Sequence, residues 1–125
     1  MPVEWKRDDA RQLITLVVTD PYTPEDVLVA VDRQAAEGVW HYARLVDFRK
    51  VSEVVWVDQA VVKDRVMDAG GGRPSAAVAM VVGENPMWFR EALHYRGPKA
   101  GLDDFEVLVT AAQVENWIHR HTRKV

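Results

Sequence analysis

The sequence predicts a single α/β domain with a mostly parallel sheet, and three observations predict it. Strand-like and helix-like segments alternate along most of the chain, the pattern of parallel strands joined by crossover helices. The run Ala76-Ala77-Val78-Ala79-Met80-Val81-Val82 is continuously apolar, as a central strand covered on both faces requires. Two short strand-like segments at the start lie close enough together to form an antiparallel hairpin. At 125 residues, 48% hydrophobic and 28% charged, the chain suits one domain over 1–125 with a core of its own. No internal repeat, low-complexity segment or linker divides it.

Taken in order, Val3 and Trp5 alternate with Glu4 and Lys6, the period of a half-buried strand. Arg7-Asp8-Asp9-Ala10 reads as the turn, and Leu13-Ile14-Thr15-Leu16-Val17-Val18 as the second strand. Thr23 suits an N-cap, Pro24 the first helical position, and Glu25 and Asp26 put negative charge on the positive end of the helix dipole. Val27, Val31 and Ala35 give that helix an apolar stripe, and Gly38 ends it. Leu45-Val46 lies in a short strand ending near Asp47. A helix over 58–69 shows Val62, Val66 and Ala69 on one face, and Gly70-Gly71-Gly72-Arg73-Pro74 breaks it. After the apolar strand, Asn85-Pro86 starts a helix reaching about Arg96, with Phe89, Ala92 and Leu93 inward. Gly97-Pro98 and Gly101 form a loop. The last strand covers 105–109, Thr110 caps the last helix, and Ala111, Val114 and Ile118 form its apolar face. The expected order is β-β-α-β-α-β-α-β-α, with the leading hairpin strand antiparallel at one edge.

Composition excludes several function classes. The chain has no cysteine, which removes disulfides, thiolate zinc sites, iron–sulfur clusters and cysteine nucleophiles. The net charge is −3 and the basic residues are scattered, so a nucleic-acid partner is not expected. The first nine residues lack the apolar h-region of a signal peptide and no apolar run is long enough to span a bilayer, so a cytoplasmic location without a membrane span is expected.

Several of these segments together resemble a known family. They are the leading hairpin, the helix opening Thr23-Pro24-Glu25-Asp26, the strand Leu45-Val46-Asp47-Phe48-Arg49, the strand ending Ala79-Met80-Val81-Val82, and the closing helix with Trp117-Ile118. In that order they look like the SpoIIAA-like group, which shares the fold of the anti-sigma-factor antagonist (STAS) domains and is related to CRAL-TRIO lipid-binding domains. The resemblance covers nearly the whole chain and implies a bacterial cytoplasmic domain. It does not carry over the phosphorylation switch of the antagonists, in which an Asp-Ser pair opens a helix. Here Asp58 is followed by Gln59, Ser52 falls too early, and Ser75 follows a proline before a strand.

Candidate chemistry is sparse. Gly70-Gly71-Gly72 closes a helix before a strand, the reverse of a phosphate-binding loop. His119 and His121 are two apart, which on a helix points them to different faces, so no metal site is expected. Asp8-Asp9, Glu25-Asp26 and Asp103-Asp104 are adjacent pairs in turns or at a helix start, not two carboxylates facing each other across a cleft. Neither Ser52 nor Ser75 has the glycines of a nucleophile elbow. His94-Tyr95-Arg96 and His41 remain as the candidate acid–base groups.

The most informative feature is a surplus of large apolar residues at two helix starts. Met87-Trp88-Phe89 fan across more than half a helix circumference, and Val54-Val55-Trp56-Val57 pose the same problem earlier. Both runs follow parallel strands and so belong at the sheet's C-terminal edge, where open α/β sheets gather ligands. Trp56, Met87, Trp88 and Phe89 are either a partner or ligand surface or loop residues that cap the core. The expected function is a non-catalytic interaction or regulatory module, with a protein partner or as a homodimer. A small carrier of a lipid or other apolar ligand is the first alternative, and an enzyme using His94 or His41 the second. No cofactor is expected.

Overall fold

Alternation in the first two strands is resolved as a hairpin. The computed structural model describes residues 2–55, 58–84, 90 and 104–122. In it β1 (Val3–Asp8) lies antiparallel to β2 (Leu13–Thr19), with Trp5 opposite Leu16. The turn starts later than the sequence predicts, because Arg7 and Asp8 still pair with Ile14 and Leu13.

From β2 onward the pairs are parallel. β3 (Ala43–Lys50), β4 (Val78–Val81) and β5 (Phe105–Leu108) complete a five-stranded sheet in the order β1-β2-β3-β4-β5. Helix α1 (Pro24–Ala36) links β2 to β3, and α2 (Gln59–Gly70) links β3 to β4. Helix α3 (Ala111–His121) closes the described chain. The helix expected over 85–96 and the loop after it lie outside the described residues, apart from Arg90.

The helix ends follow their sequence signals. The Thr23 backbone N–H donates to the Asp26 carboxylate at 2.7 Å, and Asp58 accepts from the Ala60 N–H at 2.7 Å. The Thr110 hydroxyl accepts from the Gln113 N–H at 3.2 Å. Past α2, Gly71 takes a left-handed φ of 59°, so the glycine run acts as a helix stop.

Because successive strands lie side by side in chain order, both crossovers run the same way and put α1 and α2 on one face. Under them lie Ile14, Leu16, Val18, Val46, Phe48, Val78 and Phe105, packed with Ala30, Val31 and Val66 of the helices. The other face carries Leu13, Ala43, Leu45, Ala79, Val81 and Leu108, covered by Val114 and Trp117 of α3. Here the structure corrects the expected apolar stripe. Val114 is buried and Ile118 packs against the core as expected, but Ala111 is exposed and Trp117, outside the expected stripe, is fully buried. Small Ala43 and Ala79 leave space for its indole, so α3 turns that side chain inward.

Gly70 ends α2 against an aromatic ring. A Cβ built there would sit 2.9 Å from Cε2 and Nε1 of Trp40. Alanine normally stabilises a helix relative to glycine, but here the sign reverses. Gly70→Ala is expected to lower stability by about 1–3 kcal/mol, through displacement of a buried indole, in urea unfolding.

Candidate functional site

The alternation of β3 decides the site. Ala43, Leu45 and Asp47 face α3, so Arg44, Val46 and Phe48 face α1 and α2. An apolar residue belongs at position 44, and a guanidinium stands there instead. Arg44 is 4% exposed. Its Nη1 donates to Oε1 of Gln34 at 2.8 Å, and its guanidinium carbon lies 5.6 Å from the Trp40 ring centre.

Gln34 fixes that geometry. It is fully buried on α1, and its Nε2 donates at 3.0 Å to the carbonyls of both Val39 and Tyr42. The amide therefore closes the turn after α1 with one end and presents its oxygen to Arg44 with the other.

Among the described residues, no carboxylate pairs with Arg44. Burial pushes its pKa down to about 10, with no opposing charge to restore it. For a base whose pKa falls on folding, the penalty is fully present below about 10, where both states are protonated, and is relieved only as pH rises further. That drop corresponds to a cost on the order of 3 kcal/mol at neutral pH.

Arg44 is among the residues that line a cavity with an almost wholly apolar wall. The space, about 100 Å³, lies between the sheet and helices α1 and α2. Val27, Leu28, Val31, Val46, Phe48, Val66, Val78 and Phe105 are among the residues that line it. Its lining reaches partly exposed Tyr22 and Pro24 and half-exposed Val55 at the C-terminal edge of the sheet. The Tyr22 hydroxyl accepts from the Val55 N–H at 2.6 Å, which ties the loop after β3 to the start of α1. Above the cavity Arg65 of α2 reaches Asp32 and Glu25 of α1, both at 2.7 Å, clipping the two helices together.

The sequence-predicted positions fare differently. Trp56, Met87, Trp88 and Phe89 lie outside the described residues, as does His94. Their neighbours Val54 and Val55 are described: Val54 is buried, Val55 is 50% exposed, and both line the cavity. His41 is exposed and meets the Tyr42 ring edge-on at 4.9 Å between centres. His121 stacks near Trp117 at 5.2 Å, and its Nδ1 is 3.8 Å from Asp104. No group of three metal-binding side chains occurs among the described residues.

No family model matches the chain, and no curated protein matches it.

The remaining buried charge is satisfied. Asp47 accepts from the backbone N–H, Nε and Nη2 of Arg49 at 2.9, 3.0 and 2.8 Å. Burial raises its pKa, but those donors outweigh it and hold the carboxyl below its ordinary value. A carboxylate so occupied is a poor general base. Arg44 and Gln34 were the residues that sequence reasoning passed over. The available signal was a charged side chain at an inward position, two before Val46 and four before Phe48.

Proposed function

We propose that this chain is a SpoIIAA-like, non-catalytic module that binds a small apolar ligand between its sheet and helices α1 and α2. The observation that carries the reading is the cavity of about 100 Å³ with its valine-rich wall. Well-packed interiors leave few voids larger than a water molecule. An apolar cavity of about 150 Å³ takes up benzene, so this one suits a ligand of roughly that size. Its position at the C-terminal edge agrees with where open α/β sheets bind ligands. Regulation would follow if occupancy altered the neighbouring loop that holds Val54 and Val55.

Half-exposed Val55, next in sequence to Trp56, favours a second reading in which the same edge also meets a protein partner or another copy of the chain.

The first reading is tested by methyl NMR during titration with hexan-1-ol. Shifts are expected at Val46, Val54 and Met80, which line the cavity. Val31→Phe adds a ring into that space and is expected to abolish those shifts while the fold is retained. Identical shifts in the variant, or none in the parent chain, would remove the pocket as the site.

A further inference from the structure

We infer that the free edge of β1 pairs with β1 of a second copy of this chain. The two strands run antiparallel about a two-fold axis at Trp5 and join the sheets into one. β1 ends the sheet, and no other described strand pairs with its outer side. The Thr19 N–H donates to the Pro2 carbonyl at 2.8 Å, so residues 2 and 19 form a hydrogen-bonded pair. In an antiparallel ladder such pairs alternate with non-hydrogen-bonded ones. The register is unbroken from Val3 opposite Val18 to Asp8 opposite Leu13. Glu4, Lys6 and Asp8 therefore turn their backbone groups toward β2, and Val3, Trp5 and Arg7 turn theirs outward. The outward N–H and C=O groups form a row with no proline and no bulge to prevent pairing.

The side chains select both the partner and the register. Val3, Trp5 and Arg7 lie on the α1 face, where Trp5 packs against the core and the Arg33 guanidinium sits 4.4 Å from its ring centre. Glu4 and Lys6 lie on the opposite face, both exposed, 3.7 Å apart. An axis at Trp5 sets Trp5 beside Trp5 of the second copy and Val3 opposite its Arg7, all as hydrogen-bonded pairs. Glu4 of each copy then falls opposite Lys6 of the other. These are the closer, non-hydrogen-bonded positions, where opposite charges stabilise. Sliding the axis by one residue sets Glu4 against Glu4, or Lys6 against Lys6, and like charges directly opposite destabilise. A lone lysine on an edge strand discourages pairing. A lysine two residues from a glutamate instead favours one register over its neighbours. Val3 and Trp5 are only partly buried, so the second copy also covers apolar surface. This edge takes no part in lining the cavity and is separate from the loop that holds Val55.

Sedimentation equilibrium of the full chain over a dilution series tests the pairing. The parent chain is expected to form a dimer that dissociates on dilution, since the edge of one six-residue strand is a small interface. Glu4→Lys and Lys6→Glu each set like charges opposite one another at both pairs. Each is expected to raise the dissociation constant at least about tenfold. Both side chains are exposed, so the fold is retained, and circular dichroism checks it. Mixed in equal amounts, the two variants are expected to form a heterodimer as tight as the parent, because every charge then meets its opposite. A dimer insensitive to both substitutions places the contact elsewhere and overturns the pairing. A parent chain monomeric at every concentration overturns it too, as does a mixture that stays monomeric.

Discussion

Trp117→Ala is expected to destabilise the protein by about 3–5 kcal/mol, enough to unfold a domain of ordinary stability. The indole is fully buried beneath α3 and touches the sheet face built from Leu13, Ala43, Leu45, Ala79, Val81 and Leu108. Ala43 and Ala79 cannot grow into the space it vacates, so collapse around the lost ring is limited. The cause can be separated from polar effects, because Nε1 of Trp117 is buried without a hydrogen-bond partner among the described residues. Trp117→Phe keeps most of the ring volume and removes that orphan donor. It is therefore expected to cost only about 1–2 kcal/mol. Urea unfolding of the two variants checks the prediction, and a phenylalanine variant as unstable as the alanine one would contradict it.

Gln34→Leu is expected to cost about 3–5 kcal/mol, although leucine is nearly the same size and as good a helix former. The loss is polar. The carbonyls of Val39 and Tyr42 each lose an N–H donor, and Arg44 loses its neutral acceptor. Leaving a buried charge without its partner is the costly case. Combining Gln34→Leu with Arg44→Met should recover part of the loss, and a double-mutant cycle by thermal unfolding measures the coupling. Additive effects would mean that the amide and the guanidinium do not act as one unit.

How far the fold could be read from sequence depends on how local its determinants are. The hairpin, α1, α2 and α3 were legible because their signals sit within a few residues: Thr23-Pro24, Asp58, Gly71 and Thr110 act on the adjacent backbone. The sheet was legible because the apolar run through β4 needs cover on both faces, which α1 and α2 on one side and α3 on the other provide. The rotation of α3 was not. The expected stripe is Ala111, Val114 and Ile118; against the sheet, with its two alanines, the packed set is Val114, Trp117 and Ile118.

The site was harder still. Arg44 precedes Leu45-Val46 and reads locally as a polar strand boundary, so the predicted strand began one residue too late to include it. Its burial depends on Gln34, ten residues earlier, and on Trp40 across the loop. No periodicity records such a triplet. The apolar surplus after β3 lies at the same edge of the sheet as the cavity, since Val54 and Val55 line it.

The sheet order has a consequence for how the molecule comes into being. Each strand pairs with the one before it in the chain, so no strand has to be threaded between two partners already joined. A ribosome releasing this polypeptide would deliver every new strand to an edge that is waiting for it, and assembly could advance from the first residues to the last. The final helix must then settle over four of those strands, from the second to the last, which makes its docking the step that locks them together.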